Sequence, residues 1–234
     1  MRNYGFDGFT PAFFNFYKEL HNNNNREWFA ENKPRYERDV VIALQRFIEA
    51  MAPRLMGISP YFIASPKKVG GSMFRIYRDV RFSKDKRPYK EHAACQFRHE
   101  AGKDAHAPGY YLHLSLEGVV AGAGIWLPDN DKLLKIREQI ANKPEKWQTV
   151  LVSEEMHYFP DGVEGECLVR PPKGFNKEAE FIQDIKRKTF FVKRNFTVNE
   201  AMTPAFINEV AETYSKAAPL MKFLCDATEV SYLA

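Results

Sequence analysis

The sequence predicts an α+β fold, with helices at both ends of the chain and strands clustered in its middle. Three observations predict it. Apolar residues recur at helical spacing near both termini, at Phe13, Phe16, Tyr17 and Leu20 and again at Phe206, Ile207, Val210 and Tyr214. Between residues 93 and 127 the pattern changes to that of strands. No internal repeat, Gly/Ser linker or break in composition divides the 234 residues, and no regular strand-helix alternation marks a βαβ series. The expectation is a single domain over 1–234, its antiparallel or mixed sheet packed by N-terminal and C-terminal helices.

The elements follow in order. Thr10-Pro11 supplies an N-cap and then a proline at the first helical position, opening a helix that should end near His21. Asn22 to Asn25 suit left-handed and capping conformations, so Asn24 or Asn25 should cap a short helix containing Glu27, Trp28 and Phe29. Arg26 and Glu27 then sit either at a site edge or in an ordinary capped first turn. Pro34 permits a fresh helical start, after which Tyr36, Val40, Leu44, Phe47, Met51 and Leu55 mark one face of the longest helix, despite Pro53. Residues 59–69 read as a strand fragment and loop.

Residues 93–99, 109–117 and 119–127 read as strands, the last two joined by a tight turn at Glu117-Gly118. Asp129 caps a helix bearing Leu133, Ile136, Arg137 and Ile140, and Pro144 starts another through Trp147 and Leu151. Strands are expected at 167–169 and 189–193, on either side of a helix with Phe181, Ile182 and Ile185. Thr203-Pro204 should open a C-terminal helix as Thr10-Pro11 opens the first, and Pro219 restarts a last turn with Leu220, Phe223 and Leu224.

Composition sets outer bounds on function. A mean hydropathy of -0.47 and the lack of any apolar run near ~18 residues exclude a membrane-spanning helix. The first residues lack the apolar core of a signal peptide, and Cys95, Cys167 and Cys225 are too scattered for a disulfide framework or a CxxC knuckle, so a cytoplasmic protein is expected. The net charge of +4 is concentrated: residues 67–104 hold eleven Lys/Arg against five Asp/Glu, an excess of six, leaving the remainder at minus two. Within that stretch, Arg75 to Lys90 contains seven cations and two acids, interleaved with aromatics. Such a segment suits an anion. The alternative is a solvated loop whose cations pair with Asp79, Asp85 and carboxylates elsewhere. Tyr77, Phe82 and Tyr89 are expected to anchor it in the core.

With the segments laid out, the chain resembles a family of bacterial and fungal proteins catalogued as domain of unknown function 2461. The resemblance is carried by Phe6-Asp7-Gly8-Phe9, Phe13-Phe14-Asn15-Phe16 and Asn25-Arg26-Glu27-Trp28-Phe29 with Asn32-Lys33 and Tyr36. It is sharpest from Phe74 through Lys86 with Pro88-Tyr89-Lys90, continues at Gly109-Tyr110-Tyr111, and is less distinctive after about Ile140. It implies which residues are special and implies no activity.

The expected anion-binding groups are Arg75, Arg78, Arg81, Lys84, Lys86 and Lys90, with Tyr77 and Tyr89 between them. Arg98, Tyr111 and His113 join them from the strands. A two-residue turn would set Leu116 opposite Val119, His113 opposite Gly122 and Tyr111 opposite Gly124, with Leu112, Leu114 and Leu116 on the core face. Glycines beside Tyr111 and His113 would leave a trough for a ligand, another backbone or a helix. Gln96 and Arg98 would share this face with His92.

Asp79 and His113 are the candidate bases if the pocket is catalytic. Flanking cations should keep Asp79 and Asp85 ionised, which suits orienting arginines better than moving protons. His92, His99, His106 and His113 fall in one stretch, yet no HxH, HExxH or CxxC accompanies them, so no metal is expected. No P-loop or GxGxxG is present and no cofactor is implied. Cys95 reads as a small core residue.

Three functions therefore remain open. The first is binding of a small phosphate- or carboxylate-bearing ligand. The second is hydrolysis or group transfer in the same pocket, and the third is an interaction module for an acidic protein or, less favoured by the small basic footprint, nucleic acid.

Overall fold

A computed structural model describes residues 5–102 and 107–233. Helix α1, Pro11–Asn22, opens as expected: the Thr10 side chain accepts from the Phe13 amide, and Phe13, Phe14, Phe16, Tyr17 and Leu20 are buried. Helix α2, Arg26–Tyr36, is capped by Asn25, whose Oδ1 accepts from the Trp28 amide at 2.9 Å. Pro34 does not restart a helix. It lies inside α2, and the chain continues through a π-helical turn, Glu37–Val41, into α3, Ile42–Ile58. Proline removes one i to i-4 hydrogen bond and crowds the preceding turn. The widened turn follows it within three residues.

The sheet has strands β1 Phe62–Ile63, β2 Ala93–His99, β3 Gly109–Leu114, β4 Val119–Ile125 and β5 Phe190–Phe196, all antiparallel and in sequential order. The β3–β4 connection is longer than expected. Ser115 donates from both its amide (3.1 Å) and its hydroxyl (3.0 Å) to the Gly118 carbonyl, closing a four-residue loop, so Leu114 faces Val119. Tyr111 therefore opposes Gly122 and His113 opposes Val120, two residues away from the expected register. An even shift changes partners and keeps faces. Leu112 and Leu114 still point into the core, and Leu116 falls in the loop, 39% exposed.

The glycine trough is filled by the chain itself. Gly122 and Gly124 lie beside β5, and a Cβ on Gly124 (φ 150°) would stand 2.1 Å from the Phe190 carbonyl oxygen. Close backbone approach, rather than space for a ligand, explains glycine there.

Six α-helices follow β4 in the described residues: α4 Asn130–Asn142, α5 Pro144–Leu151, α6 Ile182–Ile185, α7 Val198–Ala201, α8 Phe206–Lys216 and α9 Ala218–Ala227. Cys167 forms only an isolated bridge to Arg187 instead of the expected strand at 167–169. Thr203 does not cap α8; its hydroxyl donates back to Glu200, and α8 starts at Phe206 without a side-chain cap. Helices α8 and α9 cover the inner face of the sheet, burying Phe97, Tyr110, Leu112 and Val192 with Val210, Tyr214 and Leu224. Tyr214 is tied to the sheet by its hydroxyl, which donates to the Tyr111 carbonyl at 3.0 Å.

The N-terminal segment meets the end of α7. The Phe9 amide donates to Ala201 O at 2.9 Å, the Phe9 ring packs on Phe47 and Phe206, and Gly8, at φ 105°, lies against the Met202 backbone. Among the described residues no helix is long and apolar enough to cross a membrane.

Candidate functional site

The basic segment is built in two parts. Residues 72–78 run beside β2: the Phe74 amide donates to Ala94 O (3.0 Å), the Gln96 amide to Ser72 O (2.8 Å), and Met73 bridges to Cys95. The chain then folds back on itself, the Arg78 amide bonding Pro88 O (2.9 Å) and the Lys90 amide bonding Ile76 O (2.7 Å), with Tyr77 bridged to Tyr89. Residues 79–87 project from this pairing as a loop.

In the loop the arginines are matched by acids. Arg81 grips Asp79 (Nη2 to Oδ2, 2.6 Å), and Asp85 accepts from Arg78 at 2.8 Å and Arg87 at 2.7 Å. These guanidiniums hold both carboxyls below the usual carboxylate range. Lys86 donates to Val80 O at 3.0 Å, and Lys84 lies on the same loop. The aromatic anchors divide. Tyr89 is buried and stacks on Phe29 at 4.1 Å, Tyr77 is 56% exposed, and Phe82, at 96% exposed, anchors nothing. Its neighbours Arg81, Ser83 and Lys84 carry the loop into water, so no core surface lies within its reach.

At the base of the segment the arrangement differs. Arg75, Lys90 and Tyr111 come together with Phe74, His92 and Ala94 around a cavity of about 140 Å³. Of the sequence-predicted groups, Arg78, Arg81, Lys84, Lys86, Tyr77, Tyr89 and Asp79 do not line it. Arg98 is on the same sheet face and reaches the Gly71 carbonyl at 3.5 Å. Lys90 donates to Arg75 O at 2.9 Å and sits 5.5 Å over the Phe74 ring. Burial, then the Arg75 charge, lowers its pKa. The Arg75 guanidinium has no carboxylate or hydrogen-bond partner among the described residues. None of the lining residues is acidic.

His113 adjoins the cavity behind two of its walls. Its ring lies 4.3 Å from that of His92, and its Nδ1 is 3.3 Å from the Tyr111 hydroxyl. Burial lowers both imidazoles, His92 to about 4, with the His113 and Lys90 charges adding to the effect and Glu117 and Glu91 opposing it. Burial also pushes the Tyr111 hydroxyl up to about 12. At neutral pH the cavity therefore presents two cations, uncharged imidazole and a protonated phenol.

The four clustered histidines separate in space. His99 is buried on the inner face with Nε2 at 2.7 Å from Ser231 O, and His106 lies outside the described residues. Among the described residues no three His, Cys, Asp or Glu side chains are placed to hold a metal. Sequence reasoning placed His92 on the outer face without assigning it to the site, and missed Phe74. The signal was available in the alternation of β2 and in the paired ends of the basic segment.

A family model described as a conserved hypothetical protein, DUF2461, matches residues 12–223. The chain belongs to this family. The match spans every residue that lines the cavity, together with the loop at 79–87. No curated protein and no solved structure matches the chain closely enough to carry an argument.

Proposed function

We propose that the protein binds a small anionic ligand, phosphate- or carboxylate-bearing, in the cavity between Arg75, Lys90 and Tyr111. One observation carries the reading: two cations share the cavity, with no acid in its lining to offset them, and burial, followed by the Arg75 charge, already lowers Lys90. An anion supplies the missing charge. The guanidinium offers a planar pair of donors, the ammonium a third, and the protonated Tyr111 hydroxyl a fourth.

Isothermal titration with inorganic phosphate tests this. Binding should weaken as salt is raised and fall at least ~10-fold in Arg75→Ala, while the melting temperature stays near that of the wild type, because the Arg75 side chain is exposed. Unchanged binding in Arg75→Ala would rule the site out. A second reading, catalysis of hydrolysis or group transfer, is favoured by the Tyr111–His113 contact, which sets a neutral imidazole one residue behind the anion donors. It requires turnover of a phosphate or carboxylate ester that is lost in His113→Gln with binding retained.

A further inference from the structure

The anion cavity has a neighbour that shares two of its walls. A second cavity, of about 230 Å³, is also lined by Phe74 and Arg75, and its remaining walls come from α2, the π turn, residues 68–69 and the flanking Met73, Ile76 and Tyr77. The π turn gives it shape. Tyr36 and Val41 both face it, five positions apart; in an α-helix such residues point roughly 140° away from each other, whereas a π turn, with its i to i+5 bonds, brings them toward one side.

The chemistry of this cleft is aromatic inside and cationic at the edge. Phe29 meets Tyr36 at 5.4 Å and Tyr77 edge-on at 6.3 Å, so three rings form one wall. Tyr77 is more than half exposed although it packs on Phe29, which leaves a ring surface facing the opening. Tyr36 is only 9% exposed, and its hydroxyl makes no hydrogen bond to any described residue. Lys68 is paired with Glu37 across one edge, and Lys33 stands at another.

We propose that the two cavities form one composite site for an aryl or heteroaryl phosphate or carboxylate. The acid group occupies the Arg75–Lys90 cavity, and the ring enters the cleft against Tyr77 and Phe29. Arg75, common to both linings, meets the ligand where its acid joins its ring. The Tyr36 hydroxyl supplies a donor for a ring nitrogen or carbonyl. This assignment rests on the anion reading above and adds the class of the ligand's body.

Titration with two probes, phenyl phosphate and inorganic phosphate, separates the two statements. Phenyl phosphate should bind at least ~10-fold more tightly, since an offset or edge-to-face ring contact adds to the buried apolar area. Tyr77→Ala should abolish most of that advantage while leaving the affinity for inorganic phosphate unchanged. Equal affinities, or an advantage that survives Tyr77→Ala, would overturn the composite site and leave the anion reading standing. Binding of neither probe would overturn both. Because Tyr77 is half exposed, the variant is expected to fold; a circular-dichroism melt checks this, and Lys33→Ala, at the exposed rim, offers a second variant with the same predicted sign.

Discussion

Acidification should destabilise the protein through His92, and an anion in the cavity should reverse the effect. The His92 imidazole is kept neutral by burial, by His113 behind it and by Lys90 beside it, with Arg75 across the cavity and only Glu91 and Glu117 opposing. Its pKa in the folded chain, about 4, lies below the ordinary 6.5, so the unfolded chain takes up the proton first. Stability is therefore untouched above about pH 6.5, falls between about pH 6.5 and pH 4, and then levels off. A difference of roughly 2.5 units corresponds to ~3.4 kcal/mol, and partial solvation of the ring reduces this to about 1.5 kcal/mol.

Urea unfolding at about pH 7.5 and about pH 4.5, in chloride and in sulfate of matched ionic strength, measures it. Sulfate keeps its double charge across this range. Wild type in chloride should lose about 1.5 kcal/mol more than His92→Gln, and sulfate should restore at least half of that loss in wild type alone, because a bound anion offsets Arg75 and Lys90 and lets His92 protonate. An identical decline in the two proteins would show that His92 is not the sensor. A sulfate effect of equal size in His92→Gln would show that the salt acts elsewhere.

Two further outcomes follow from the packing. Gly124→Ala should cost about 3 kcal/mol or more in denaturant unfolding, since its Cβ would meet Phe190 O at 2.1 Å and Phe191 Cα at 2.5 Å at a positive φ; Gly57→Ala, in the last turn of α3 with nothing within 4 Å, should gain ~0.5–1 kcal/mol, and equal effects would refute the β4–β5 argument. Ellman titration of the native protein should show one fast thiol, Cys167, because Cys95 and Cys225 are fully buried and burial pushes the Cys225 thiol up to about 12; two fast thiols would contradict the core.

Much of the fold was legible because its signals are local. Thr10 and Asn25 cap where short polar side chains precede apolar periodicity, and the β2, β3 and β4 strands alternate cleanly enough for their faces to be read. Pro34 misled because a proline is tolerated by the turn that follows it, and turn width is a tertiary property. The β3–β4 register slipped because the Ser115 hydroxyl and amide together capture the Gly118 carbonyl, lengthening the loop beyond what a Glu-Gly pair suggests.

The site was partly legible for a different reason. Composition located the basic segment, yet it cannot say which cations are answered. Arg78 and Arg81 find Asp85 and Asp79 within the loop, whereas Arg75 and Lys90 share a cavity whose lining holds no acid. The pairing of residues 76–78 with 88–90 decides this, and it depends on backbone hydrogen bonds invisible to a count of charges.

The clasp between Gly8–Phe9 and Ala201–Met202 has a consequence for how the chain is made. Phe6, Phe9 and Phe13 leave the ribosome long before Phe206, which covers Phe9. The sheet hairpins can form as they emerge, since their partners are neighbours in sequence. The N-terminal aromatics can reach Phe47 early, but their cover by Phe206 must wait. Until Phe206 emerges that side of the cluster stays uncovered, and in that interval the nascent chain is exposed to aggregation and in need of a chaperone's shelter.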